Sequence, residues 1–252
     1  MKSKIVVGIR GLIRGNFHWS VFPEVLKKVA PDTYFLPLEM AGNGNRSNDL
    51  SAMDPEAVIQ DFRQQIQTWK TNHPEFESAQ VTVLAISLGG MLALKWAELY
   101  PEDMDQLIVV NSSLNQCSPF YKRLIPKNYF RIFKTLGFGS IAEKETLILS
   151  VTSNSQVLQQ TQLPKYIEFA NQNKIRSINF VRQLILASKI KIMKPLKINP
   201  VFIYSEKDGL VSADCSKALA AKFNGTIHVN AIAGHDLSFD QPEWLAQKIN
   251  SL

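Results

Sequence analysis

Cysteine is scarce in this sequence: Cys117 and Cys215 are the only two in 252 residues, and they stand at neither metal-ligand nor redox spacing. That excludes a zinc ribbon, an iron–sulfur cluster and a disulfide-built scaffold together. The four histidines, His18, His73, His228 and His235, form no cluster with Asp or Glu at ligand spacing, so no metal site is read. Long apolar runs are missing as well. The start, Met1-Lys-Ser-Lys-Ile-Val-Val-Gly8, holds a strand's short run but not the roughly 7 to 15 apolar residues of a signal peptide, and nothing approaches a membrane span. Internal repeats and low-complexity tracts are absent too. The expectation is a soluble cytoplasmic protein with reduced thiols.

What is present is a chain that can build a core. With 45% hydrophobic and 20% charged residues, disorder is excluded, and the length suits one α/β domain carrying an insertion better than two independent domains. Charge is unevenly spread. Residues 115–197 hold fourteen Lys and Arg against three Asp and Glu, whereas the rest holds fourteen against nineteen. An acidic body thus carries a basic segment, an asymmetry that steers anionic partners without dictating fold. Nucleic acid is a poor candidate partner, because no binding motif accompanies the basic residues.

Apolar runs and helical stripes alternate along the body. Ile5–Ile9, Tyr34–Leu38, Val81–Ile86, Leu107–Val110, Pro200–Tyr204 and Thr226–Ile232 read as strands, the second cut short by Pro37. Between them, residues 21–30, 55–70, 88–100, about 212–223 and 242–252 read as helices. Asp54 before Pro55 is an N-cap with proline in the first turn. Such alternation predicts a mostly parallel, doubly wound α/β sheet, with residues 1–114 and 198–252 as its core. Residues 115–197 depart from it, reading as a helical cap over the carboxyl ends of the strands, where open α/β sheets bind ligands. Its aromatics, Phe120, Tyr121, Tyr129, Phe130, Phe133 and Phe138, are read as the cap's own core.

The chemistry centres on Val81-Thr-Val-Leu-Ala-Ile-Ser-Leu-Gly-Gly90, where a buried-strand pattern breaks at Ser87 and runs into a helical one. A serine at such a junction exposes its hydroxyl on a strained turn that tolerates only small neighbours, here Ala85, Gly89 and Gly90. Serine is a weak nucleophile until a base takes its proton. Asp208 and His235 each follow a predicted strand, and the order Ser, Asp, His completes a nucleophile, orienting acid and base arrangement.

On these residues the chain resembles the α/β-hydrolase superfamily, among its small capped serine esterase-like members, over nearly its whole length. The two leading antiparallel strands of that family are missing. The resemblance implies Ser87 as nucleophile, His235 as general base and acid, and Asp208 as the residue orienting the imidazole. It implies an oxyanion hole from the backbone amides of Leu12 and Leu88, and no cofactor. Three positions depart from the family pattern: Ala85 replaces a glycine, Arg10 precedes Gly11 in place of histidine, and Ala41 replaces the proline of the turn at 40–44. The serine argues against the aspartate-using dehalogenase and epoxide-hydrolase branches.

The function expected is hydrolysis of a carboxylic ester or thioester through an acyl-enzyme. A non-catalytic ligand-binding protein of the same fold, or a lyase or perhydrolase reusing the triad, stand as alternatives. Arg10 and Arg14 are either surface cations or holders of an anionic substrate group. His18 either lines the site or packs on the following helix. His228 is read as structural and His73 as solvated. The basic cap raises an acidic carrier protein as a partner beside a small acyl ester or thioester.

Overall fold

The computed structural model describes residues 3–252, the side chain of Leu136 aside. In chain order its elements are β1 (Lys4–Ile9), α1 (Phe22–Val29), β2 (Thr33–Leu38), α2 (Pro55–Asn72), β3 (Gln80–Ile86), α3 (Leu88–Leu99) and β4 (Gln106–Val110). Next come α4 (Phe120–Arg123), α5 (Tyr129–Phe138), α6 (Ile141–Thr152), α7 (Gln156–Gln172) and α8 (Ser177–Lys189). The chain ends with β5 (Val201–Ser205), α9 (Ala213–Phe223), β6 (Thr226–Asn230), α10 (Leu237–Asp240) and α11 (Pro242–Asn250).

The strands form one sheet in the order β2-β1-β3-β4-β5-β6, every neighbouring pair parallel. Successive side chains along a strand point to opposite faces, and here both faces are covered, which is why the strands are apolar at consecutive positions. Ile5, Val7 and Ile9 join a cluster with Ile59 and Phe62 of α2, Leu92 and Trp96 of α3, and Leu219 of α9. The even partner Val6 joins Phe22 and Leu26 of α1 and Leu245 and Ile249 of α11 on the other face. Full burial of each such side chain contributes about 1.5–3 kcal/mol.

The alternating elements of the body lie where the periodicity places them, within a residue or two. Asp54 caps α2, its carboxylate accepting from the Ala57 amide at 3.0 Å. Pro37 stands at the end of its strand as the sequence reading has it: β2 stops at Leu38, one residue on, with Pro37 opposite Gly8. β2 is an edge strand, where proline is tolerated.

Helices α4 to α8, which carry most of the basic residues, enter between β4 and β5. Their aromatics are not an internal core, contrary to expectation. Phe120, Phe130 and Phe138 are 71, 79 and 93% exposed, and Tyr121 and Phe133 are about half exposed. The reason is helical phase. On α5, Ile132 turns inward while Phe130 and Phe138, two turns apart, share the outer face with Lys134. Among the described residues no helix is long and apolar enough to cross a membrane.

Candidate active site

Parallel strands bring their carboxyl ends to one edge, so the loops after β1, β3, β4, β5 and β6 converge there. Between β3 and α3, Ser87 adopts φ 56° and ψ −119°, a conformation that costs a non-glycine residue about 1–3 kcal/mol. The surroundings hold it: the Ser87 amide donates to the Val110 carbonyl at 2.9 Å, and the Ser112 hydroxyl donates to the Ser87 carbonyl at 2.7 Å. The neighbouring glycines are enforced by close approach. A Cβ at position 89 would lie 2.7 Å from the carbonyl oxygens of Ile9 and Arg10, and one at 90 would lie 2.8 Å from Ser112 and Val109.

The loop after β6 delivers His235, whose Nδ1 lies 2.7 Å from Asp208 Oδ2 in the loop after β5. A carboxylate only accepts, so the ring proton sits on Nδ1 and Nε2 is left as the basic atom. Asp208 is fixed by its own turn, its Oδ1 accepting from the Leu210 and Val211 amides at 2.7 and 2.9 Å. Both side chains are buried. Asn111, which the sequence reading passed over, joins these loops from a left-handed position, φ 47°. Its amide donates to the His235 carbonyl at 2.8 Å and to Ser205 Oγ at 3.0 Å, and its Oδ1 accepts the Ser205 amide at 2.8 Å. The available signal was an asparagine directly after a buried strand, a residue type that tolerates this backbone.

Ser87 and His235 border one largely apolar cavity of about 130 Å³, roofed by α5, α6 and α8 through residues such as Ile132, Leu147 and Leu184. Ser87 also borders a second cavity of about 400 Å³ on its other side, with Leu88, Ser113 and Arg123 in its wall. Its Oγ makes no hydrogen bond to a described residue, so the link to His235 is open in this state; such links commonly tighten only around substrate. The amides of Leu12 and Leu88 likewise find no acceptor among the described residues. Leu88 opens α3, where the first amides lack intrahelical partners. Gly11 brings the Leu12 loop against the nucleophile: a Cβ there would be 3.0 Å from Ser87 Cβ.

The arginines are not surface cations. Arg10 is 5% exposed, forks onto both oxygens of Asp236, donates to Ser238 Oγ at 2.8 Å and lies over the Trp19 ring. Burial alone would raise the Asp236 carboxyl, but the Arg10 charge and hydrogen bonds from Arg10 and Ser238 hold it below its usual range. Arg14 pairs with Glu145 of α6 at 2.6 Å and donates to His18 Nε2 at 3.0 Å. The other ring nitrogen of His18, Nδ1, meets both backbone groups of Gly15: the amide donates to it at 3.1 Å, and the carbonyl lies 3.3 Å away. Burial, and then the charges of Arg14 and Arg10, push the His18 pKa well below its usual value. Neither guanidinium has charge to spare for a ligand.

His18 stands outside the Ser87 cavity. It borders a neighbouring space behind Ile13, its ring edge-on to Tyr166 and Phe169. His228 lies in the edge strand β6. His73 is not simply solvated but stacks on Trp69 at 4.5 Å. The sequence reading also missed Gln183 of α8, which is fully buried. Its Oε1 accepts the Ile13 amide at 2.8 Å, and its amide nitrogen donates to Asn43 and Ser51 at 2.7 and 3.0 Å.

Comparison with known proteins agrees with this architecture. A lipase-esterase related protein from Clostridium acetobutylicum superposes with a TM-score of 0.71 at 14% identity, over 99% of this chain and 94% of that one. An α/β hydrolase from a Medee basin deep-sea metagenome library gives 0.70 at 19%, over 100 and 89%. The 2-hydroxy-6-oxo-6-phenylhexa-2,4-dienoate hydrolase of a Rhodococcus strain gives 0.70 at 16%, over 99 and 90%. No curated protein sequence matches this chain. The family model of the S33 serine aminopeptidases matches residues 21–242, nearly the whole alternating sheet and everything inserted in it, and the chain therefore belongs to that family of α/β-hydrolase enzymes.

Proposed function

We propose that the protein hydrolyses a carboxylic ester or thioester through an acyl-enzyme on Ser87. The observation that carries this reading is the strained Ser87 facing the same cavity as the buried His235–Asp208 pair. His235 Nε2 takes the hydroxyl proton as Oγ attacks the acyl carbonyl, while Asp208 holds Nδ1–H and keeps the ring oriented. The unpartnered amides of Leu12 and Leu88 receive the oxyanion, each worth about 10² to 10³ in rate. Collapse expels the alcohol or thiol, which takes its proton from His235. Water then repeats the sequence on the acyl-enzyme, freeing the acid and restoring Ser87. In this reading residues 1–114 and 198–252 are the catalytic core and 115–197 a cap that keeps water from the cavity.

The site supports an ester or thioester over a peptide with a free amino terminus. Recognising a terminal ammonium needs an available carboxylate. Of the described residues bordering the two cavities at Ser87, Asp236 is the sole carboxylate, and Arg10 occupies both its oxygens. A fluorophosphonate probe tests the reading. Ser87 should be labelled, Ser87→Ala should not, and a panel of acyl esters and thioesters should be turned over only by the former. A folded protein that resists the probe and leaves every ester intact would refute it.

A further inference from the structure

Two cavities meet at Ser87, and they differ in charge. On the side that holds His235, the cations Arg10 and Arg14 are matched by Asp236 and Glu145. On the other side Arg123, the last residue of α4, is the one charged side chain in the wall among the described residues. It is unmatched. Its Nε donates to Ser113 Oγ at 3.3 Å, and its two terminal nitrogens reach no acceptor among the described residues, with no carboxylate in ion-pair range. Lys122 beside it is already paired with Asp214.

A guanidinium offers five donors in a planar fork, and Arg123, partly buried in the wall, spends only one of them on a protein acceptor. Burial draws the Arg123 pKa down, the neighbouring Cys215 acting weakly against it. A carboxylate would satisfy the fork with two parallel charged hydrogen bonds. We infer that Arg123 binds a carboxylate of the substrate, so that the ester split at Ser87 is an acidic one. This rests on the ester hydrolysis proposed above. His235, which protonates the leaving group, borders only the smaller cavity, and Arg123 only the larger. The carboxylate therefore belongs to the acyl half, as in a monoester of a dicarboxylic acid.

The test compares three methyl or alkyl esters of matched length: neutral, with a carboxylate ending the acyl chain, and with a carboxylate on the alcohol. Native protein should favour the acyl-side acid. Arg123→Gln should raise its KM about tenfold to a hundredfold relative to the neutral ester, with kcat changed less, and Arg123→Lys should recover part of the loss. An Arg123-dependent preference for either acid supports the site and tells which half of the ester carries the charge. No preference for an acid, or one that survives Arg123→Gln, overturns it. Calorimetric titration of Ser87→Ala protein with a free α,ω-dicarboxylate separates this from hydrolysis itself. Binding lost on adding Arg123→Gln upholds the anion site even where no ester is cleaved, and binding indifferent to Arg123 removes it.

Discussion

The side-chain carbonyl of Gln183 accepts the Ile13 amide at 2.8 Å, so helix α8 of the inserted segment holds the loop that carries the Leu12 amide. Ile13 itself is in a left-handed conformation, φ 49°, which an isoleucine adopts only under constraint. Replacing Gln183 by leucine leaves the Ile13 amide and the acceptors on Asn43 and Ser51 without their partner, at about 1–3 kcal/mol for each buried group left bare. We expect a lower urea midpoint and slower fluorophosphonate labelling, with Gln183→Glu keeping the Ile13 bond and more of the rate. Unchanged labelling in the leucine variant would show that the loop holds itself.

Asp208→Asn should fold and fail to turn over. The asparagine carbonyl can still accept the Leu210 and Val211 amides that fix Asp208, but its NH₂ then faces His235 Nδ1 and drives the ring proton to Nε2. With the base occupied, kcat should fall by about 10²- to 10⁴-fold, measured as the burst and steady-state release of a chromogenic ester leaving group. Near-native kcat with an unperturbed melting curve would remove Asp208 from the mechanism.

Two glycines should respond oppositely to alanine. At Gly89 the new methyl meets two carbonyl oxygens at 2.7 Å, which costs about 1–3 kcal/mol and pushes the loop after β1 away from Ser87. At Gly137, within α5, no described atom beyond its chain neighbours and its own helix backbone lies within 4 Å of the added carbon, and the helix gains about 0.5–1 kcal/mol. Chemical denaturation of both variants checks the signs, and equal effects would contradict the packing described.

His18 sets an acid limit on stability. Its folded pKa lies below the unfolded value of about 6.5, so the unfolded chain binds the extra proton. Its share of stability is therefore complete above about pH 6.5 and is lost as the pH falls below that value. Between pH 7 and 5.5 native protein should lose about 1 kcal/mol more unfolding free energy than His18→Gln. Urea titrations at the two pH values measure it; parallel losses would mean that His18 charges freely in the folded state.

The body of the fold was legible because its strands are buried on both faces and its helices carry one apolar stripe, patterns that local sequence states outright. Ser87, Asp208 and His235 were legible because each directly follows such a strand. The partners of Arg10 and Arg14 were not: Asp236 and Glu145 meet them through tertiary approach, which no spacing along the chain encodes. Gln183 and Asn111 were hidden for the same reason, since a polar residue inside a helical stripe or after a strand looks solvated until its partners are in place. The outward aromatics of α5 depend on the phase at which that helix docks.

The tie between α8 and the body reaches beyond position 183. Asn179, one turn earlier, accepts the Ser51 amide at 3.0 Å and donates to the Asp49 carbonyl at 2.9 Å, fully buried. The inserted segment is thus not an interchangeable module. A chimera that swapped in a relative's insertion to change substrate choice would also remove the props beneath the nucleophile's neighbouring loop, and it would have to import Asn179 and Gln183, in register, with Asn43 and Ser51 retained below. Transplants confined to α4 and α5 leave those four residues untouched, which makes that stretch the natural place to recombine.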